Sequence, residues 1–100
     1  MILGILVINE NYKDEIVSFL RAAVNKGHKV NIFMMDKGCL LSKDPDFTFL
    51  KDMNGVSISL CDLNRRQLKI RNEDIPDGII CGSQYNNAQM IHESDKVIVF

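Results

Sequence analysis

The sequence has almost no net charge and no long hydrophobic segment, and each absence excludes a class of protein. The formal net charge is −1 in 100 residues, so nothing predicts attraction to a phosphate backbone. The longest apolar run, Ile2–Ile8, is too short to cross a membrane and lacks the basic start and cleavage site of a signal peptide. We therefore expect a cytoplasmic protein with no membrane and no nucleic-acid partner.

Motifs that hold metals, cofactors or disulfides are also missing. The three cysteines, an odd number, form no CxxC pair, which argues against a disulfide framework, a zinc ribbon and a thioredoxin-type dithiol. No GxGxxG or Walker pattern occurs, so a nucleotide site is not expected. The sequence thus predicts no cofactor and no metal.

Apolar patterning instead predicts an ordinary globular α/β domain. Hydrophobic residues make up 46% of the chain and charged residues 25%, which suits one domain over residues 1–100. Five strand-like segments alternate with four helix-like ones, and short connections of this kind require parallel pairing. The predicted fold is a three-layer α/β/α arrangement with a five-stranded, mainly parallel sheet. The predicted strands are 2–8, 28–35, 56–61, 78–81 and 97–100, and the helices are 13–26, 44–53, 62–69 and 85–93.

Ligands of such sheets bind beyond the carboxyl ends of the strands. Four segments are predicted to lie there, and all three cysteines fall at or just past this rim, after strands two, three and four. If those strands are neighbours, the thiols approach one another. The segments are Asn9–Tyr12, Asp36–Leu41, Cys61–Arg66 and Gly82–Tyr85.

Cys61 is the best candidate nucleophile because it ends a strand and precedes a helix, where free N–H groups and the helix dipole favour a thiolate. Arg65 and Arg66 follow one turn later and are candidates for holding an anionic donor, whereas Asp62 opposes a thiolate next door. The alternative is that Cys61 is a small buried hydrophobic residue. Position alone leaves both interpretations open.

The remaining candidates carry weaker signals. Cys39 is expected in a loop lining the same pocket, with a second reactive thiol or a resolving cysteine as the alternative. Cys81 follows two isoleucines and is expected to be buried. Gly82 and Ser83 open the last helix and offer backbone N–H groups to an anion. His28 and His92 lie away from the rim, which leaves no cysteine–histidine pair.

Several segments together resemble the DsrE/DsrF/TusD-like (DsrEFH-like) family of sulfur-relay proteins, and the resemblance spans essentially the whole chain. The resembling pieces are Gly27-His28-Lys29-Val30, Asp36-Lys37-Gly38, Gly55-Val56-Ser57-Ile58 before Cys61, Arg65-Arg66, Gly82-Ser83, and the final Ser94 to Phe100.

The resemblance implies that Cys61 carries a persulfide and passes its sulfur to a partner protein, which would make the chain a sulfurtransferase-like carrier. It also implies homo- or hetero-oligomers, often trimers or hexamers, with a protein sulfur donor and a protein acceptor. Some subunits of such complexes only serve as scaffolds. A non-catalytic oligomeric or partner-binding module is therefore the alternative function.

Overall fold

The computed structural model describes residues 1–100 and contains one five-stranded sheet. All strands are parallel, in the order β4-β3-β2-β1-β5. The α/β prediction is confirmed, and the sheet is wholly rather than mainly parallel. The strands are β1 (Ile2–Val7), β2 (Lys29–Met34), β3 (Val56–Cys61), β4 (Ile80–Gly82) and β5 (Lys96–Val99), and the helices are α1 (Lys13–Asn25), α2 (Pro45–Thr48), α3 (Asp62–Gln67) and α4 (Gln84–Glu93).

The main core lies on one face of the sheet. Alternate residues of the central strands point into it, as the period-two pattern requires, and the apolar side of α1 covers them. The segments 36–52 and 70–79 complete this layer. The largest fully buried side chains on this face are Phe47, Ile5, Ile16, Leu20, Ile32, Met34, Leu50, Ile58, Leu60, Ile70 and Val7.

The opposite face carries a single helix. α4 packs on β1 and β2, and its Met90 forms a small second core with Phe33 and Cys61. The approach is close at Gly4, where an added Cβ would come within 2.6 Å of the Met90 sulfur. One ten-residue helix cannot cover five strands, so both flanks of this face stay open.

The predicted second helix is mostly not α-helical. Asp44 caps it by accepting a hydrogen bond from the Asp46 N–H (2.9 Å), and Pro45 occupies the first turn, where it has no N–H to leave unpaired. The α-helix nevertheless ends after four residues and continues as a 3₁₀ turn, Phe49–Asp52. A further 3₁₀ helix, Asp36–Lys43, occupies a segment that the sequence predicted as a loop.

That 3₁₀ helix is held against the end of β1. Asp36 has φ +49°, and its N–H donates to Oδ1 of Asn64 (2.9 Å). Gly38 lies so close to β1 that a Cβ there would overlap the Val7 carbonyl. The chain therefore turns sharply after β2, and the Cys39 side chain points inward.

No helix has the length and apolar character needed to span a bilayer. No group of three or more histidine, cysteine, aspartate or glutamate side chains is arranged to hold a metal ion.

Candidate functional site

A pocket of about 500 Å³ opens beyond the carboxyl ends of β3 and β4. It lies where parallel α/β sheets bind ligands. The walls come from the end of β3 and the start of α3 on one side, and from the end of β4 and the start of α4 on the other. Its lining residues are Cys61, Asp62, Leu63, Arg66, Cys81, Gly82, Ser83, Gln84 and Asn86.

Cys61 is the last residue of β3 and the N-cap of α3, with extended backbone angles (φ −77°, ψ 112°). The alternation of β3 directs its side chain to the α4 face, where it packs with Phe33 and Met90. Only 4% of the residue is exposed. Cys61 thus borders the pocket, as a nucleophile would, but is nearly buried, as a small hydrophobic residue would be. The structure therefore shows features of both interpretations of this cysteine.

Asp62 binds the two arginines that follow it. Its Oδ1 accepts from Nε (3.0 Å) and Nη2 of Arg65, and its Oδ2 accepts from Nη2 of Arg66 (2.6 Å). The hydrogen bond from Arg65 is the main reason that the pKa of Asp62 is lowered. One carboxylate between two guanidinium groups leaves a single positive charge beside the pocket.

The two arginines differ in what they can reach. Arg65 is buried, and its Nη1 donates to the carbonyl of Ile70 (3.2 Å), so this side chain ties α3 to the following loop. It does not line the pocket, contrary to the prediction that placed it there with Arg66. Arg66 does line the pocket, and its side chain is 67% exposed. Arg66 is therefore the guanidinium available to an anionic ligand.

Cys39 is not in the pocket, and the prediction that it lines it is wrong. The 3₁₀ helix buries it fully, and its Sγ lies 3.5 Å from the Met34 carbonyl and 3.9 Å from that of Cys61. Burial is the largest effect on its thiol and raises the pKa to about 11. A thiol in that state is a poor nucleophile at neutral pH.

Cys81 is exposed, and the prediction that it is buried is also wrong. It lies in β4, a three-residue edge strand that pairs only with β3. Desolvation raises the pKa of its thiol, while the Arg65 charge acts in the opposite direction. The two isoleucines before Cys81 suggested a buried strand, but they do not reveal that the strand lies at the sheet edge.

Gly82 and Ser83 line the pocket as predicted, but the start of α4 satisfies most of its own donors. The Ser83 N–H donates to Oδ1 of Asn86 (2.8 Å), and the Tyr85 N–H donates to Oγ of Ser83 (3.2 Å). This capping box leaves few of the backbone N–H groups at the start of α4 free to bind an anion.

Two solved structures have this architecture. The YchN protein from E. coli superposes with a TM-score of 0.74 at 18% identity, covering 99% of this chain and 97% of that one. MTH1491 from Methanobacterium thermoautotrophicum, titled a protein of unknown function, superposes with the same TM-score and coverage at 13% identity. The fold is of the DsrE-like type. No protein-family model matches the chain, and no curated protein sequence matches it, so the likeness shows the fold alone.

Proposed function

We propose that the protein is a sulfur-relay carrier in which Cys61 accepts a persulfide sulfur and passes it to a partner protein. The observation that carries the proposal is the position of Cys61: it ends β3 in a DsrE-like fold and borders a pocket of about 500 Å³. The sequence resemblance to the DsrE/DsrF/TusD-like family points to the same residue.

The neighbourhood of Cys61 suits sulfur transfer without a cofactor. A thiolate takes the outer sulfur of a donor persulfide, and the donor leaves as a thiolate, so the exchange needs no external oxidant. Arg66 borders the pocket with an exposed positive charge, which favours the approach of an anionic persulfide.

Loading with glutathione persulfide tests the proposal. Trypsin cuts on both sides of each cysteine, because Lys37, Lys43, Arg65, Arg71 and Lys96 separate the three into different peptides. After alkylation, we expect the peptide 52–65 to gain about 32 Da, the mass of one sulfur atom. In a separate sample that has not been alkylated, cyanide should attack the free outer sulfur and release it as thiocyanate, leaving the Cys61 thiolate.

The matched control is Cys61→Ala. Its peptide 52–65 should gain no sulfur, and its unfolding midpoint should fall by no more than the loss of one buried atom explains. A wild-type protein whose Cys61 peptide stays unmodified, while glutathione persulfide is consumed by a control thiol, would contradict the proposal.

A non-catalytic oligomeric module is the second candidate, and two observations favour it. Cys61 is only 4% exposed, and the α4 face carries uncovered apolar side chains. Val97 and Val99 pair with Gly4 and Leu6 of β1, so they project beside α4, where Ile91 is also exposed. We propose that further copies of the chain pack on this surface, as trimers or hexamers.

Light scattering after size-exclusion chromatography tests the assembly. The wild-type mass should be a multiple of 11.4 kDa, and Val99→Asp should reduce it because a buried unpaired carboxylate opposes association. The control Val99→Thr, of similar shape, should assemble more strongly than the aspartate variant. A monomeric wild-type protein at all concentrations would contradict this candidate in its homo-oligomeric form.

A further inference from the structure

The pocket beside Cys61 has the size of a small-molecule site. Its volume is about 500 Å³, and pockets that bind small ligands hold about 300–1,000 Å³. Cys61 is 4% exposed and packs with Phe33 and Met90, so a sulfur donor approaches it from this pocket. A small donor enters such a space whole, whereas a donor protein has to insert a segment of its chain.

The charges around the pocket favour an anionic ligand. Only two charged side chains line it, those of Asp62 and Arg66. Asp62 also accepts from Arg65, whose other hydrogen bond goes to the Ile70 carbonyl. The Arg65 charge thereby offsets that of Asp62, and the positive charge of Arg66 is left without a matching carboxylate.

The Arg66 guanidinium lies near the start of α3, although the residue belongs to the next turn of the helix. Its Nη2 donates to Oδ2 of Asp62 (2.6 Å), and Asp62 directly follows Cys61 in the chain. This is the only hydrogen bond of the Arg66 side chain, so its remaining N–H groups are free. A guanidinium presents five N–H donors in a planar fork that matches the two oxygens of a carboxylate.

We propose that the sulfur donor of this pocket is a low-molecular-weight persulfide that carries a carboxylate, and that Arg66 binds this carboxylate while Cys61 takes the outer sulfur. The inference rests on the proposed function of Cys61 and adds the chemical class of the donor and the residue that selects it. Persulfides of amino acids and short peptides belong to this class, because their carboxylate is a few bonds from the sulfur.

The transfer balances without a co-reactant. The Cys61 thiolate attacks the outer sulfur of the donor, a sulfur–sulfur bond forms at Cys61, and the sulfur–sulfur bond of the donor breaks. The donor leaves as a thiolate and takes up the proton that Cys61 lost to solvent, so no net oxidation occurs. The outer sulfur then lies about 2 Å beyond the Cys61 Sγ, which brings it closer to an acceptor thiol than the buried Sγ itself.

A matched pair of donors tests the inference: the persulfides of N-acetylcysteine and of N-acetylcysteine amide, which differ in a carboxylate or a neutral amide. Loading is followed by rapid mixing, alkylation and tryptic mapping of peptide 52–65. Arg66→Gln should raise the half-saturating concentration of the carboxylate donor about fivefold, the effect of a partly exposed charge pair. The amide donor should be unaffected, and the limiting rates should stay the same because Arg66 does not touch the reacting sulfurs.

Comparing both donors on both proteins removes their intrinsic difference in reactivity, as in a double-mutant cycle. Arg66→Lys keeps the charge but not the planar fork, so it should retain part of the preference for the carboxylate donor. The matched control is Lys37→Gln, which removes one positive charge from an exposed residue of a separate surface cleft. It should keep the full preference, because long-range attraction alone would respond to either cation.

The outcomes separate the two proposals. If Cys61 loads but Arg66→Gln leaves the preference between the donors unchanged, the role of Arg66 is wrong and the relay through Cys61 stands. The small-donor class is also wrong if persulfidated serum albumin loads Cys61 as fast as the N-acetylcysteine persulfide at equal concentration. If no donor places sulfur on Cys61, the relay itself is wrong and the inference fails with it. Unfolding midpoints of the variants show whether a weaker preference reflects lost structure.

Discussion

The most informative stability experiment compares two replacements of Cys61, because they distinguish a buried sulfur from a hydrated one. The residue is 4% exposed and packs with Phe33 and Met90. Cys61→Ala removes one heavy atom from this cluster, and losses of that size cost about 0.5–1.5 kcal/mol. The alanine variant should therefore fold, with a free energy of unfolding lower by about 1 kcal/mol.

Cys61→Ser nearly preserves the size of the side chain but introduces a hydroxyl group. The aromatic ring of Phe33 offers that hydroxyl no acceptor and the Met90 sulfur offers only a weak one. A buried hydroxyl without a partner costs about 1–3 kcal/mol. We therefore expect the serine variant to be less stable than the alanine variant, although serine is the closer match in shape.

Urea unfolding followed by circular dichroism measures the difference. With a slope of about 2 kcal/mol per molar urea, a further loss of 1 kcal/mol lowers the midpoint by about 0.5 M. Cys81→Ser serves as the exposed counterpart and should shift the free energy by no more than about 0.5 kcal/mol. A Cys61→Ser protein at least as stable as Cys61→Ala would refute the reasoning, since it would mean that the sulfur is in contact with water. Alanine is accordingly the replacement to use at Cys61 in activity assays.

Three further predictions concern the fold around the site. Leu50→Ala, at a fully buried position, should lower the free energy of unfolding by about 2–5 kcal/mol in urea titrations with an unchanged slope. Gly38→Ala should disrupt folding, because the added Cβ would overlap the Val7 carbonyl. Gly27→Ala should cost only about 1–2 kcal/mol, since Gly27 has φ +85° and no atom lies within 4 Å of an added Cβ, which leaves only the strain of the left-handed backbone. Equal unfolding midpoints for the two variants would contradict this prediction. Because folding lowers the pKa of Asp62, its carboxylate stabilises the folded protein at pH values above its unfolded-state pKa. This stabilisation is lost as the pH falls through its folded-state pKa. Acid should therefore lower the free energy of unfolding more in the wild-type protein than in Asp62→Asn.

Local patterns in the sequence were sufficient to predict the secondary structure near the site. Residues of β3 alternate in the sequence between apolar Val56, Ile58 and Leu60 and the intervening Ser57, Ser59 and Cys61, and the strand directs these two sets to opposite faces of the sheet, since the period of two is a property of the strand itself. The Ser83 cap and the first-turn Pro45 were likewise readable from residue type and position. These features depend on neighbours within a few residues, which a single sequence contains.

Exposure of the cysteines could not be predicted in the same way, because it depends on strand order. The residues around Cys81 do not indicate that β4 is the edge strand. The residues around Cys39 do not indicate that the chain forms a 3₁₀ helix against the end of β1. Both predictions therefore failed in opposite directions: the thiol expected inside is outside, and the thiol expected in the pocket is in the core.

Strand order also determines which pairs of thiols can cooperate. With β3 between β2 and β4, the other two cysteines lie on either side of Cys61. The Sγ of the buried Cys39 is 3.9 Å from the Cys61 carbonyl, in the main core, and the exposed Cys81 pairs with Leu60. The pKa of about 11 makes Cys39 a poor nucleophile at neutral pH, and the Cys81 side chain leaves the opposite face of the sheet from the Cys61 side chain. Because Cys61 is the only one of the three thiols on the α4 face, a sulfur donor must reach it from the pocket itself rather than through a second cysteine.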